Sequence, residues 1–468
     1  MATDDAANLS EGSEDFQEEL NDALIAVAIK DQLARVGRKS FDAINVSVKD
    51  GMATLTGTAD SLWTRQRASE LSQLIRGVRG VIDRVSVGPV GAIDDKVITQ
   101  HLEYLFHNDP VVDPADIYLD VKQGLVVLKG NVPSRQVKDT ADNLAKMVKG
   151  VREVRNALTV RATQRRTDSA MREDIVRRLA FDVWVERPMN LAVEVRQGKA
   201  MLNGIVGNAF EKNRVEHLAW VKGIREVDVR GITVQWTSPD PMIRSHRPET
   251  SDRVLAEIIE QVLADDRRVG PFGIQVAVHQ GVVTLDGHVP FLSMKRAAEQ
   301  DVWNVVGIRS VRNFITVRPD TVFTDDDIQD RVMTEFTRDP VLGKYTLEVS
   351  VRNGAVLLTG TVESIYERNH AENIASRARG MKSLLNQIVF TKPETGKTDW
   401  EIQLDIENQV WWSPFLSGQD IVATVKDGKA ILTGSVDHGH QRVIAEQQAY
   451  EAGASEVVNR LQVEEIVP

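Results

Sequence analysis

Apolar residues occupy every second position in six short stretches of this chain, and each stretch leads to a glycine. The first runs through Ile44, Val46 and Val48 to Gly51. Such alternation is typical of a β-strand with one buried face. Asp, Asn or Gln precedes each glycine, and Asp-Gly and Asn-Gly favour tight hairpin turns because both central residues can take positive φ. The pattern predicts six β-hairpins with these structural glycines: Gly51, Gly124, Gly198, Gly281, Gly354 and Gly428.

A helix-like segment follows each hairpin and ends at a second glycine, which we expect to cap the helix. These glycines are Gly77, Gly150, Gly223, Gly307, Gly380 and Gly453. Another alternating strand comes next, and a further helix precedes each hairpin. Thr-Asp pairs such as Thr167-Asp168 open three of the preceding helices with good N-cap chemistry. The fold class is therefore α+β, built from α-β-β-α-β units whose helices cover one face of a small sheet.

The six units form an internal duplication, in which the triplet of units 1–3 is repeated as units 4–6. Adding 230 converts Gly51 into Gly281 and Gly77 into Gly307. This 230-residue period predicts pseudo-twofold symmetry or two similar three-unit arms. The predicted segments are a disordered acidic tail at 1–19, unit 1 at 20–88, unit 2 at 92–160, unit 3 at 165–234, a linker at 235–251, unit 4 at 252–317, unit 5 at 322–390 and unit 6 at 396–464.

The repeated motif resembles that of a known family. The order α-β-β-α-β, with G-x-[AV]-x-L-x-G and then G-[VIM]-x-x-[VL]-x-N, is similar to the BON domain (bacterial OsmY and nodulation). Asp83 replaces the asparagine in unit 1, and IREVDVRGITV in unit 3 has a one-residue insertion. The resemblance implies attachment to membranes or partner proteins, since BON domains occur in envelope-stress, osmotic-stress and secretion proteins and several are thought to contact phospholipid. One BON-containing protein binds potassium, which gives small-ion sensing as a third alternative.

Composition narrows the function classes. The chain has 468 residues, 42% hydrophobic and 27% charged, as expected of a globular protein, and its net charge of −11 argues against nucleic-acid binding. It has no cysteine, and it contains no P-loop, G-x-S-x-G or H-E-x-x-H motif. We predict no enzyme, no cofactor and no metal site. His438 and His440 are predicted to be a loop pair rather than metal ligands.

Two groups of residues are candidate contact sites. A basic stretch is expected to face anionic lipid or a partner, with a solvated linker as the alternative: Lys146, Lys149, Arg152, Arg155, Arg161, Arg165, Arg166, Arg172, Arg177 and Arg178. Four tryptophans are possible interface aromatics, with packing between units as the alternative: Trp184, Trp400, Trp411 and Trp412.

The N-terminal segment has neither the basic start nor the apolar run of a secretory signal, and no stretch is long enough to span a membrane. We expect a cytoplasmic protein that is peripheral to the membrane. The leading hypothesis is a stress-linked protein that binds phospholipid surfaces or partner proteins. The alternative is a homo-oligomeric scaffold that forms a ring, cage or filament from its repeated surfaces.

Overall fold

A computed structural model describes residues 22–37, 40–88, 93–161, 166–235, 250–270, 272–390 and 397–464. The predicted acidic tail at 1–19 and nearly all of the predicted linker lie outside these residues. Within them, all six units have the predicted order α-β-β-α-β. The first helices span 22–37 (α1), Asp95–Asn108 (α3), Asp168–Phe181 (α5), Asp252–Asp265 (α7), Asp325–Arg338 (α9) and Asp399–Trp412 (α11). The second helices span Leu62–Gln73 (α2), Arg135–Lys146 (α4), Ala209–Ala219 (α6), Leu292–Trp303 (α8), Ile365–Ala375 (α10) and Gly439–Ala452 (α12).

Each unit folds its strands into a small mixed sheet whose central strand is the second arm of the hairpin. The first arms are Ile44–Lys49 (β1), Ile117–Lys122 (β4), Leu191–Arg196 (β7), Gln275–His279 (β10), Leu347–Arg352 (β15) and Asp420–Lys426 (β19). The second arms are Met52–Ala59 (β2), Leu125–Val132 (β5), Lys199–Val206 (β8), Val282–Asp286 with His288–Val289 (β11, β12), Ala355–Val362 (β16) and Lys429–Val436 (β20). The last strands are Gly80–Val87 (β3), Glu153–Val160 (β6), Glu226–Val234 (β9), Ser310–Asn313 with Thr316–Val317 (β13, β14), Ser383–Asn386 with Val389–Phe390 (β17, β18) and Glu456–Asn459 with Gln462–Val463 (β21, β22). The first arm pairs antiparallel and the last strand parallel to the central strand, as in β1-β2-β3.

The hairpin turns confirm the prediction made from the glycines. Both central residues have positive φ in every unit, as at Asp50 (51°) and Gly51 (71°). This backbone conformation is the type I′ turn that matches the twist of the flanking strands. The alternating apolar residues of the central strand point to one side, where Ala53 and Leu55 are completely buried.

The predicted helix caps are wrong for five of the six glycines. Only Gly453 is the C-cap of its helix, with a φ of 114°. Helix α2 instead ends at Gln73, and Gly77 lies in a turn beyond it with a φ of 91°. The residues between contribute to the core, since Ile75 is 4% exposed. The glycine is therefore needed where this turn meets the next strand, not where the helix stops.

An aspartate at the start of the first helix holds each hairpin turn. Asp95 Oδ2 accepts a hydrogen bond from Gln123 N at 2.7 Å, and its Oδ1 accepts one from Gly124 N at 2.9 Å. Equivalent pairs of bonds are made in the other units by Asp22, Asp168, Asp252, Asp325 and Asp399. These bonds satisfy two turn amides that the ladder leaves unpaired.

The asparagine of the repeated motif ties the last strand to the second helix. Asn156 Nδ2 donates to Lys138 O at 2.9 Å while its Oδ1 accepts from Leu158 N at 3.2 Å. Asp83 in unit 1 keeps the second bond, from Val85 N, and replaces the first with an ion pair to Arg65. In unit 3 the one-residue insertion appears as a register shift between Met201 and Asn203. The position is structural in these units.

The six units pack into one body of two stacked triangles. Contacts close each triplet, as in Arg135 over the Trp220 ring (units 2 and 3) and Phe390 against Tyr450 (units 5 and 6). Every unit also contacts two units of the other triplet. One contact from each of these six pairs of units is given by Trp63–Tyr366, Arg76–Trp412, Gln136–Arg267, Met147–Arg377, Phe181–Val306 and Trp184–Phe415.

Backbone hydrogen bonds show that the packing follows the duplication. Arg76 N donates to Trp412 O at 2.9 Å, and Val306 N donates to Phe181 O at 2.9 Å. Val306 lies 230 residues after Arg76, and Trp412 lies 231 after Phe181 because unit 3 has one more residue than unit 6 between its first helix and its hairpin. The two interfaces are thus copies of each other, as expected of pseudo-twofold symmetry.

Candidate functional site

The basic stretch predicted from the sequence is divided among several surfaces. Lys149, Arg152 and Arg161 are exposed, whereas Lys146 is half-buried and pairs with Asp142 at 2.6 Å. Arg165 lies outside the described residues. The others have partners within the chain: Arg155 with Glu153, Arg166 and Arg177 with Asp174, Arg172 with the Val193 carbonyl, and Arg178 with Asp265.

The four predicted tryptophans also separate into two kinds. Trp184 packs against Phe415 with ring centroids 4.7 Å apart, and Trp412 packs against the core of unit 1. Trp400 and Trp411 are 68% and 54% exposed. The alternative of packing between units therefore describes Trp184 and Trp412, whereas Trp400 and Trp411 remain available at the surface of α11.

The two histidines occupy a buried interface rather than a loop. His438 is the N-cap of α12, and both His438 and His440 are 7% exposed. The His440 ring lies 4.6 Å from that of Trp184, at the contact between units 3 and 6. The +230 relation could not show this contact, because the equivalent residue in unit 3 is Phe210.

A recurring cationic feature, which the sequence analysis missed, surrounds the hairpin turns. The second glycine of unit 1 is Gly77. Two residues after it and after each of its equivalents, a backbone N–H donates a hydrogen bond to the carbonyl oxygen of the turn glycine, as Arg79 N does to Gly51 O at 2.8 Å. In five units that residue is a cation: Arg79, Arg152, Arg225, Arg309 and Lys382. The residue just before the turn is also a cation in five units: Lys49, Lys122, Arg196, Arg352 and Lys426. We call these ten residues the tip cations; all are exposed or half-buried.

A cavity of about 590 Å³ lies where units 2, 3 and 4 meet. Its lining includes Trp220, His217 and Phe181, together with many charged side chains. The cationic lining residues are Arg135, Arg177, Arg178, Arg214, Lys222, Arg267 and Arg268. The acidic lining residues are Asp139, Asp182, Asp265, Asp266 and Asp301.

Buried ion pairs form the floor of this cavity. Arg214 Nη2 donates to Asp182 Oδ2 at 2.6 Å, and the Asp182 side chain is only 5% exposed. Arg268 Nη2 reaches both Asp266 Oδ2 at 2.5 Å and Asp301 Oδ1 at 3.1 Å. One guanidinium thus bridges two carboxylates that come from different elements of unit 4.

The remaining oxygen of Asp301 is the unusual atom of the site. Asp301 is 7% exposed, and its Oδ2 has no hydrogen-bond partner among the described residues. Burial and the nearby Asp266 carboxylate raise the pKa of Asp301 well above its usual range. Burial opposes ionisation of Asp266 too, but Arg268 holds the pKa of Asp266 below its usual value. Two like charges in one buried site favour a single shared proton.

The mouth of the cavity is edged by more exposed cations. The Arg177 and Lys222 side chains are 52% and 57% exposed, and Arg267 is also exposed. Lys222 pairs with Asp265 at 2.9 Å. His217 contributes no charge at neutral pH, since burial and the Arg214 guanidinium lower its pKa. The seven lining cations exceed the five acids, so the lining is positive in a chain whose net charge is −11.

The described residues also bear on membrane spans and metal sites. No helix among them is long and apolar enough to cross a membrane. In the same residues, no group of three or more His, Asp or Glu side chains is arranged to hold a metal ion.

Comparison with known proteins assigns each unit to the same domain type. The BON domain description matches residues 21–89, 94–162, 167–235, 251–319, 324–392 and 398–465. A similar curated protein is the osmotically-inducible protein Y of Escherichia coli (strain K12), which is 28% identical over 141 residues, or 28% of this chain and 70% of that protein.

Similar solved structures come from CdsD, a structural protein of the type III secretion system of Chlamydia trachomatis. One is 19% identical and covers 42% of this chain and 88% of that chain, with a TM-score of 0.13. A second, of the CdsD C-terminal domain, is 18% identical and covers 44% of this chain and 96% of that chain, with the same TM-score of 0.13.

Proposed function

We propose, from the premise that this chain belongs to the BON domain family, that it is a non-enzymatic protein that attaches peripherally to anionic phospholipid surfaces through its hairpin tips. The name of its osmotically inducible relative supports a link to osmotic stress. A cytoplasmic location remains part of this proposal.

The observation that carries the proposal is the recurrence of the tip cations. Ten of the twelve equivalent tip positions are Lys or Arg, and only His279 and Ser455 depart from the pattern. Each basic residue near an anionic bilayer contributes about 1 kcal/mol. Because six tips belong to one body, contacts by several of them add through effective concentration. Arg152 belongs both to the tip cations and to the basic stretch predicted from the sequence.

The test is binding to vesicles of anionic phosphatidylglycerol or neutral phosphatidylcholine. The tip variant changes the five cations before the turns to Gln: Lys49, Lys122, Arg196, Arg352 and Lys426. The matched control changes five exposed cations away from the turns to Gln: Lys30, Arg84, Lys129, Arg312 and Arg460.

Both variants lose the same charge, so they separate tip contacts from net charge. We expect the tip variant to bind anionic vesicles at least about tenfold more weakly, which corresponds to about 1.4 kcal/mol, while the control changes much less. Binding should also fall steeply with salt. Equal weakening of both variants would refute attachment through the tips.

A second candidate, self-association, is favoured by an exposed apolar stripe on α11. Trp400, Leu404 and Trp411 are all exposed and are spaced so that they lie on one side of that helix. Exposed aromatic residues are enriched in protein interfaces. Light scattering after size-exclusion chromatography should show a particle larger than one chain that Trp400→Ser with Trp411→Ser reduces to a monomer. A monomeric wild-type protein would exclude this candidate.

A further inference from the structure

The cavity junction of units 2, 3 and 4 differs sharply from its pseudo-twofold counterpart. Subtracting 230 places Leu71 at the position of Asp301 and Val36 at that of Asp266. Leu71 and Val36 are 2% and 1% exposed and belong to the apolar core of unit 1. These two positions can thus be filled with apolar side chains, so packing does not require the Asp266 and Asp301 carboxylates. The counterpart junction nevertheless keeps other ion pairs, such as Arg35 with Asp405.

The buried charges at this junction cost folding stability, which indicates a role other than packing. Burying ionised groups loses hydration free energy, and apolar side chains at such positions are often as stable or more so. Asp301 Oδ2 also remains without a hydrogen-bond partner among the described residues. Clusters of buried, strongly perturbed acids in a cleft are typical of functional sites.

We propose that this cavity binds a small phosphate ester that carries free hydroxyl groups, a sugar phosphate or a nucleotide. The mouth cations Arg177, Lys222 and Arg267 would contact the phosphate, since guanidinium groups match the geometry of phosphate oxygens. The ligand hydroxyl groups would bond to a less buried carboxylate of the lining, such as Asp139, whose side chain is 35% exposed. A volume of about 590 Å³ falls within the range typical of small-molecule sites.

Calorimetric titration of the full chain tests this site with ribose 5-phosphate and adenosine monophosphate as probes. Ribose and inorganic phosphate serve as half-ligands. We expect at least one phosphorylated probe to bind saturably, and inorganic phosphate and ribose to bind at least about tenfold more weakly because each lacks half of the contacts. Tighter binding of ribose 5-phosphate or of the nucleotide distinguishes the two sources of this chemistry.

Two variants locate the site. Arg177→Gln with Arg267→Gln removes mouth cations that are not buried, and should weaken binding about tenfold to a hundredfold. Asp139→Ala removes a partly exposed carboxylate of the lining, so we expect it to fold and to weaken binding. Arg84→Gln with Arg312→Gln is the control for charge, and should bind like the wild type. Failure of both phosphorylated probes to bind the folded wild-type chain, or unchanged affinity in the cavity variants, would overturn the proposal.

Discussion

Met147 and Arg377 hold the same position in the two triplets, 230 residues apart, and they contact each other: Arg377 Nη1 lies 3.7 Å from Met147 Sδ. A residue can contact its own counterpart only beside the axis that relates the copies. Trp184 and Phe415, which are also counterparts, make the same kind of contact between units 3 and 6. The pseudo-twofold axis therefore passes beside both contacts. Neither contact is symmetric, because the two counterparts are different residue types.

The half-buried Arg377 at this axis predicts a double-mutant result. Burial lowers the pKa of Arg377, while the Asp109 carboxylate acts to raise it. Arg377→Met should destabilise the protein by about 1 kcal/mol, because it removes a cation that favours the ionised form of the half-buried Asp109 carboxylate. Asp109→Asn keeps an oxygen for the amides of Val111 and Val112 and should recover most of that loss. Thermal unfolding of the two single variants and the double variant measures the coupling; purely additive effects would contradict it.

Replacing the aspartate that binds a hairpin turn should reduce the protection of the turn amides from hydrogen exchange. Asp95→Ala removes two hydrogen bonds to the turn amides of Gln123 and Gly124, and should cost about 1–3 kcal/mol. Amide hydrogen exchange at these two residues should become faster. Asp120→Ala, which removes an exposed ion pair to Lys122, is the control and should change stability by less than about 1 kcal/mol. Unchanged exchange at the turn in Asp95→Ala would argue against the holding role.

Two of the four predicted interface tryptophans should behave differently when they are replaced. Trp184→Ala removes a ring that contacts Phe210, Phe415 and His440 between units 3 and 6 and should destabilise by about 3 kcal/mol or more. Trp400→Ala removes an exposed ring and should stay within about 0.5 kcal/mol. Calorimetric unfolding of both variants makes the comparison. Equal destabilisation would mean that the aromatic contact between the triplets does not stabilise the body.

Tyr366 predicts how stability changes in alkali. Burial raises the pKa of Tyr366 to about 12, and its hydroxyl accepts a hydrogen bond from Trp63 Nε1 at 2.8 Å. An unfolded tyrosine ionises near pH 10. Since the folded state retains the proton longer, this stabilising contribution is complete below pH 10 and is lost between about pH 10 and 12.

Tyr366→Phe should reduce that loss of stability and also remove the hydrogen bond between units 1 and 5 at neutral pH, at a cost of about 1 kcal/mol. Burial and Glu367 raise the pKa of Tyr345 as well, so some alkaline dependence should remain. Unfolding in denaturant at a series of pH values measures both effects. The same alkaline slope in the variant and in the wild type would contradict the assignment to Tyr366.

Local features of the fold could be predicted from the sequence, because their signals lie within one unit. The hairpin turns follow from residue pairs such as Asp50-Gly51, and the bulge of unit 3 follows from its extra residue. The helix ends at Gly77 and at four of its five equivalents were predicted wrongly, because one glycine signal fits both a cap and a later turn; Gly453 is the exception. The role of Asp95 was available as an aspartate 29 residues before the turn glycine, but N-cap chemistry explained only the Thr-Asp pairs.

The cavity could not be predicted, because its parts are distant in sequence. Arg214 and Asp301 belong to different units, and neither alternation nor spacing relates them. The sequence did contain one signal, which appears only when the two triplets are compared. Asp301 and Asp266 of unit 4 correspond to the apolar Leu71 and Val36 of unit 1. This difference is informative only because the structure shows that these positions are buried, since the same substitution at an exposed position would have little effect on stability.

The central claim is that six BON units form one closed body, because both the interfaces and the cavity depend on it. Small-angle X-ray scattering of the monomeric full chain tests it most directly. A compact chain of 468 residues should have a radius of gyration near about 23 Å. A value of about 50 Å or more, halfway toward the roughly 80 Å of an unfolded chain, would mean that the units are strung out and that the closed body is wrong.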